Sequence, residues 1–135
     1  METNASKRHV LIVDDNLELA DPFKRLLEAH GYEVTVASNG VLALKHILHK
    51  PVDAIVCDLK MPQLEGDIFF TTVKRLNPTL ANRFIFITGM ADDPHFQTFV
   101  ATVKAPVLRK PVPIEKLLEA LNGVLKSGTV GSRTE

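Results

Sequence analysis

A chain of 135 residues, 45% of them apolar, is long enough for one domain with a buried core. Sixteen basic side chains offset sixteen acidic ones and no basic run is present, which argues against a nucleic-acid-binding face. The single cysteine, Cys57, excludes an internal disulfide; no apolar leader and no run near the roughly 20 residues of a membrane span can be read, so a cytoplasmic, non-membrane protein is expected.

In chain order, a polar segment to Arg8 precedes the apolar run Val10 to Val13, which Asp14 and Asp15 stop. Leu19, Phe23, Leu26, Leu27 and His30 then fall on one helical stripe, with Gly31 placed to close it. Pro22 lies inside that stripe and removes a backbone bond, so a kink or a late helix start is expected. Glu33 to Val36 alternates, as an edge strand should. Ser38-Asn39-Gly40 opens a second helix with Val41, Leu44 and Leu48 as its stripe. Ala54 to Cys57 is a second unbroken run, ended by Asp58, and Phe69, Val73 and Leu76 mark a third helix that stops before Asn77-Pro78. Phe84 to Ile87 is a third such run, ended by Thr88-Gly89. A shorter fourth helix carries Phe96, Phe99 and Val100 after Asp92-Asp93-Pro94, and Val107-Leu108 is a short edge strand before Arg109-Lys110-Pro111. Ile114, Leu117, Leu118, Leu121, Val124 and Leu125 form the last stripe, with Pro113 at its first turn.

Strand and helix thus alternate five times, and three of the strands read as buried on both faces. The expected fold class is α/β: a doubly wound, flavodoxin-like, five-stranded parallel sheet in the order 2-1-3-4-5, with helices on both faces. The expected divisions are a polar segment 1–8, one domain over 9–126 and a flexible polar tail 127–135.

In such a sheet, ligands bind beyond the carboxyl ends of the strands. Those ends carry Asp14 and Asp15, Asp58, Thr88 and Lys110. Any one of them alone would be an ordinary turn, cap or surface residue. Their convergence on one edge is a stronger signal, because carboxylates this close repel one another and call for a hard divalent cation such as Mg²⁺. Mg²⁺ also favours partial protein ligation completed by waters and phosphate oxygens, which points to a phosphoryl group at this edge.

The segments Val13-Asp14-Asp15-Asn16, Cys57-Asp58-Leu59-Lys60-Met61-Pro62 with Gly66 four residues on, Ile87-Thr88-Gly89 and Arg109-Lys110-Pro111 together closely resemble the receiver domain of two-component response regulators, over His9 to Leu125. The resemblance implies that Asp58 accepts a phosphoryl group from a sensor histidine kinase or phosphotransfer protein. It implies Mg²⁺ held by the side chains of Asp15 and Asp58 and the backbone carbonyl of Lys60, with Asp14 acting through water. Thr88 and Lys110 would each engage a phosphoryl oxygen, and the Lys110–Pro111 peptide would be cis. Such a domain signals by conformational change and catalyses its own modification without being a turnover enzyme. The positions that tune phosphate loss in the family are Lys60 and Met90 here, neither of which orients a water. Val107 stands where receivers usually carry an aromatic residue, so output is expected through the loop after Thr88 and the fourth helix. A downstream protein or a weak homodimer is expected on the face of helix four, strand five and helix five.

Two rivals remain at this level. A receiver-like module acting independently of phosphorylation is disfavoured because every catalytic position is filled. A nucleotide or flavin protein is disfavoured because neither G-x-x-x-x-G-K-[ST] nor G-x-G-x-x-G is present. Cys57 reads as a core thiol on the opposite strand face from Asp58. Histidines 9, 30, 46, 49 and 95 are read as structural, including the i, i+3 pair His46 and His49 at a helix end.

Overall fold

Five parallel strands, β1 (His9–Val13), β2 (Glu33–Ala37), β3 (Ala54–Asp58), β4 (Phe84–Thr88) and β5 (Val107–Arg109), form one sheet in the order β2-β1-β3-β4-β5. The helices are α1 (Leu17–Ala29), α2 (Gly40–His49), α3 (Gly66–Leu76), α4 (Pro78–Ala81), α5 (Pro94–Thr102) and α6 (Ile114–Val130). This computed structural model describes residues 7–61, 64–89 and 94–130, of which 95 and 127–130 are described by backbone alone. Every residue of β1, β3 and β4 is buried, whereas β2 and β5 are mixed, which matches central and edge strands as the sequence predicts.

Alternation along the strands divides the core in two. Leu11, Val13, Ile55, Cys57, Phe84 and Phe86 face α2, α3, α4 and α5 through Ala43, Phe69, Val73, Leu80 and Phe96. On the other face, Val10, Ile12, Val56, Ile85 and Ile87 meet Ala20 and Leu27 of α1 and Leu117 and Leu121 of α6. Fully burying one such side chain is worth about 1.5–3 kcal/mol, so both layers are needed to offset chain entropy.

Helix orientation departs from the sequence reading in places. The inward line of α1 is Ala20, Phe23 and Leu27, and Leu19 and Leu26 are exposed. In α2 the buried residues are Gly40 and Ala43, while Val41 (48% exposed) and Leu48 (67%) face outward. Apolar residues occur on every side of α2, so hydrophobicity alone does not orient it; its two smallest residues face inward, Ala43 into the core layer and Gly40 against Leu64. Leu76 of α3 is likewise exposed.

Asn16 starts α1 without delay, its side-chain oxygen accepting the Leu19 N–H at 3.1 Å, and the helix runs through Pro22 to Ala29. Gly31 has φ +94°, a left-handed residue just past the helix end as expected. Asn77-Pro78 stops α3 but also starts α4: Asn77 caps the Leu80 N–H at 3.1 Å and Pro78 takes the first helical position, where its missing N–H costs nothing. Pro113 sits just ahead of α6, its carbonyl accepting the Leu117 N–H at 3.2 Å. At its far end α6 runs to Val130 rather than stopping at 126, since extending a formed helix adds a bond for each residue fixed even through poor helix formers. Residues 131–135 of the expected tail and 1–6 of the polar segment lie outside the described residues.

Gly66 is fixed by close packing. A Cβ there would stand 2.8 Å from the Asp58 carbonyl oxygen and 2.9 Å from the Leu59 Cα, whereas one at Gly123 in α6 would meet nothing within 4 Å. Gly66→Ala is therefore expected to destabilise the fold by roughly 1–3 kcal/mol. Gly123→Ala should stabilise it by about 0.8–1.0 kcal/mol. Urea unfolding midpoints of the two variants check this; equal midpoints would refute the tight contact.

Candidate functional site

Strand register sets the site's level. Val13 lies beside Cys57, Asp58 beside Ile87, and Thr88 beside Arg109, so the strands' carboxyl ends finish within a residue of one another. Asp14 is held by its own N–H to the Ala37 carbonyl at 3.0 Å, and its Oδ1 accepts the Asn16 N–H at 2.9 Å. The cap residue of α1 thus also orients the first carboxylate. Asp15 beside it is exposed.

Asp58 is only 6% exposed. Its Oδ2 accepts from Lys110 Nζ at 2.9 Å and its Oδ1 from the Lys60 N–H at 3.3 Å. Three backbone bonds fix the chain around this pair: Leu59 N–H to the Ile87 carbonyl at 3.1 Å, Gly66 N–H to the Leu59 carbonyl at 2.9 Å, and Lys110 N–H to the Thr88 carbonyl at 3.0 Å. The Lys110–Pro111 peptide is cis. Thr88 is fully buried.

One oxygen from each of Asp14, Asp15 and Asp58 lies within 4.8 Å of the others. Burial raises the Asp14 pKa first, and the charges of Asp58 and Asp15 add to that against the opposing Asn16 bond and Lys110. For Lys110 burial acts downward, but the hydrogen bond to Asp58 and the charges of Asp58, Asp14 and Asp15 outweigh it, and the ammonium is held above its usual value. Three carboxylates against one ammonium leave negative charge in excess. An all-oxygen donor set of this kind fits a hard dication such as Mg²⁺.

Cys57 does point away from Asp58, into the α2–α3 layer, and burial pushes its thiol well above the ordinary range. Lys60 is exposed at the rim; Met90 and Pro62 lie outside the described residues. An apolar cleft of about 520 Å³, reaching Asp14 and Asp58 between α1 and the cis peptide, is lined by Leu19, Phe23, Pro111 and Val112. The sequence reading set Leu19 on the apolar stripe of the first helix and missed this cleft.

Residues 10–122 match the model of the response regulator receiver domain. The sensor kinase CckA of Brucella abortus is 30% identical over 119 residues, covering 87% of this chain and 12% of that protein. The transcriptional regulatory protein ZraR of Klebsiella oxytoca is 29% identical over 119 residues, 86% of this chain and 26% of that protein. The chain therefore spans only a minor part of these relatives. Among solved structures, a CheY-like response regulator receiver domain protein from Methanospirillum hungatei superposes with a TM-score of 0.84 at 28% identity, covering 93% of this chain and 99% of the other. A response regulator receiver domain protein from Clostridium thermocellum gives 0.80 at 28% identity, covering 91% and 98%. In sequence and in fold, with its acidic cluster at the strand ends, the chain belongs to the response regulator receiver domain family of two-component systems.

Proposed function

We propose that Asp58 is the phosphoryl acceptor of this receiver and that its charge state drives the signal. The observation that carries the reading is the buried Asp58 carboxylate, 2.9 Å from the Lys110 ammonium and within 4.8 Å of the Asp14 and Asp15 oxygens. A carboxylate oxygen of Asp58 attacks phosphorus, the bond from phosphorus to the donor's histidine nitrogen breaks, and that electron pair stays on the imidazole. Asp15, Asp58 and the Lys60 carbonyl, with Asp14 through water, would hold Mg²⁺, whose positive charge draws the phosphoryl oxygens to the site. Lys110 pairs with one phosphoryl oxygen and the Thr88 hydroxyl with another. Such transfer needs mainly positioning and charge neutralisation. Phosphorylation and its reversal are thus the domain's own chemistry, in the service of signalling.

A sensor histidine kinase or phosphotransfer protein is the donor in this reading, in the cytoplasm. The likeness to a sensor kinase and to the hybrid signal transduction protein dokA of Dictyostelium discoideum supports that setting. The residue range 9–126 is the functional unit. Output leaves through the end of β4 and α5, because Val107 has a stiff χ1 and no ring to swing. Phe86, two residues before Thr88, meets Phe99 of α5 edge to face at 5.1 Å, which gives that route a packed contact. The docking face for a downstream protein or a second copy is α5, β5 and α6, the helices four and five of the sequence reading.

Incubation with a small phosphodonor and Mg²⁺ should load one acid-labile phosphate per chain. Asp58→Asn should abolish loading, and so should chelation of Mg²⁺; undiminished uptake by Asp58→Asn would refute the assignment. Asp15→Ala should weaken Mg²⁺ binding, read by calorimetry, much more than Asp14→Ala. The lifetime of the phosphorylated state is expected to be long, because neither Lys60 nor Met90 can hold a water in line. After donor removal, Lys60→Asn/Met90→Glu should lose phosphate faster by about tenfold, a barrier change of about 1.4 kcal/mol. Equal or slower loss would mean that these side chains do not control the water.

A further inference from the structure

At the opposite end of β1 from the acidic cluster, two imidazoles meet. His9, the first residue of β1, is 4% exposed, and its Nε2 lies 3.3 Å from Nε2 of His46 on α2. The rings are tilted by 46° with centroids 5.1 Å apart, so they touch at their nitrogen corners instead of stacking. His9 is held rigidly. Its N–H donates to Asp53 Oδ2 at 2.7 Å and its carbonyl accepts the Asp53 N–H at 2.8 Å.

The surroundings favour one tautomer of His9. Nδ1 faces the Glu33 carboxylate at 3.6 Å, and Glu33 is itself clamped by Lys50 at 2.7 Å. A proton on Nδ1 answers that carboxylate and leaves Nε2 an acceptor, its single lone pair shared between the Thr35 hydroxyl at 2.9 Å and Nε2 of His46 at 3.3 Å. The Glu33 carboxylate thus lies on the side from which an acceptor orients a metal-binding histidine, although 3.6 Å is beyond direct hydrogen-bond reach.

Distance then selects the ligand. Two nitrogens each about 2.0–2.1 Å from a tetrahedral Zn²⁺ stand roughly 3.3–3.4 Å apart. We propose that His9 and His46 form a binding site for a borderline transition-metal dication, Zn²⁺ in the first instance, through their two Nε2 atoms, with solvent completing the shell on the half-buried His46 side. Entry of the ion displaces both the hydrogen bond between the rings and the contact of His9 Nε2 with the Thr35 hydroxyl, which rotates away; the His46 proton moves from Nε2 to Nδ1, and no net proton is lost. The bound ion would tie β1 to α2. His9 and Asp14 are five residues apart on an extended strand, about 16 Å at about 3.3 Å per residue, so the site is separate from the oxygen-only cluster at Asp58.

The test is calorimetric titration of the untagged chain with Zn²⁺, in wild type, His46→Ala, His49→Ala and Asp15→Asn/Asp58→Asn. His46 lies on the partly exposed side of a helix, where alanine favours folding. One zinc site should survive in the Asp15→Asn/Asp58→Asn variant and in His49→Ala, and be weakened at least about tenfold in His46→Ala, at or beyond the 10–100-fold that outer-sphere partners cost. Zinc should also shift the imidazole NMR signals of His9 and His46 together. Unchanged uptake in His46→Ala, loss in His49→Ala instead, or unmoved His9 and His46 signals would each overturn the proposal.

Discussion

The pairing of Asp58 with Lys110, 2.9 Å apart at the mouth of a dry sheet, is the contact on which the rest of the site depends. Like charges about 4 Å apart repel by roughly 4 kcal/mol at an effective dielectric near 20. Asp14, Asp15 and Asp58 bring one oxygen each within 4.8 Å of the others, so three like-charge pairs share one ammonium. The imbalance is visible in Asp14, whose proton affinity is raised by burial and by its acidic neighbours. A site left short of positive charge is receptive to a dication, and with the dication to an anionic group that brings its own oxygens.

Backbone geometry makes this arrangement durable. Lys110 reaches Asp58 from β5, and its own N–H is bonded to Thr88 at the end of β4. Lys110 is therefore joined to Thr88 by main chain and to Asp58 by charge, and the Leu59 N–H bond to the Ile87 carbonyl ties the ends of β3 and β4. Gly66 seals the far side, where even a methyl group would strike the Asp58 carbonyl. Displacing any of the three side chains strains a ladder that the hydrophobic layers on both faces hold in place.

Much of this was legible in the sequence because strand burial and strand-end chemistry are local signals. Unbroken runs such as Val10 to Val13 read as central strands, and the aspartates that stop them mark the binding edge. Helix rotation was less legible. In α2 an apolar residue lies on every side, and the inward choice of Gly40 and Ala43 depends on how closely the sheet and Leu64 approach. The four-residue α4 was hidden because Asn77-Pro78 serves as both stop and start. The His9–His46 contact joins residues 37 apart, and no spacing rule along one helix could reveal it.

β5 carries no aromatic residue, and the rings beside it come from α3, β4 and α5. Val107 pairs in register with Phe86 and packs against the same core layer. Phe70 from α3 and Phe99 from α5 pack there too: Phe70 meets Phe84 at 5.0 Å and Phe86 at 5.6 Å, and Phe99 meets Phe86 at 5.1 Å and Phe70 at 5.7 Å. Edge-to-face pairs of this kind are worth about 0.5–1.5 kcal/mol each beyond burial, and together they lock α3, β4 and α5 into one body. Phe86 and Thr88 share a strand face, which puts this cluster directly below the end of β4. Close-packed rings do not compress, so the output route proposed above, from the top of β4 to α5, would run through this cluster.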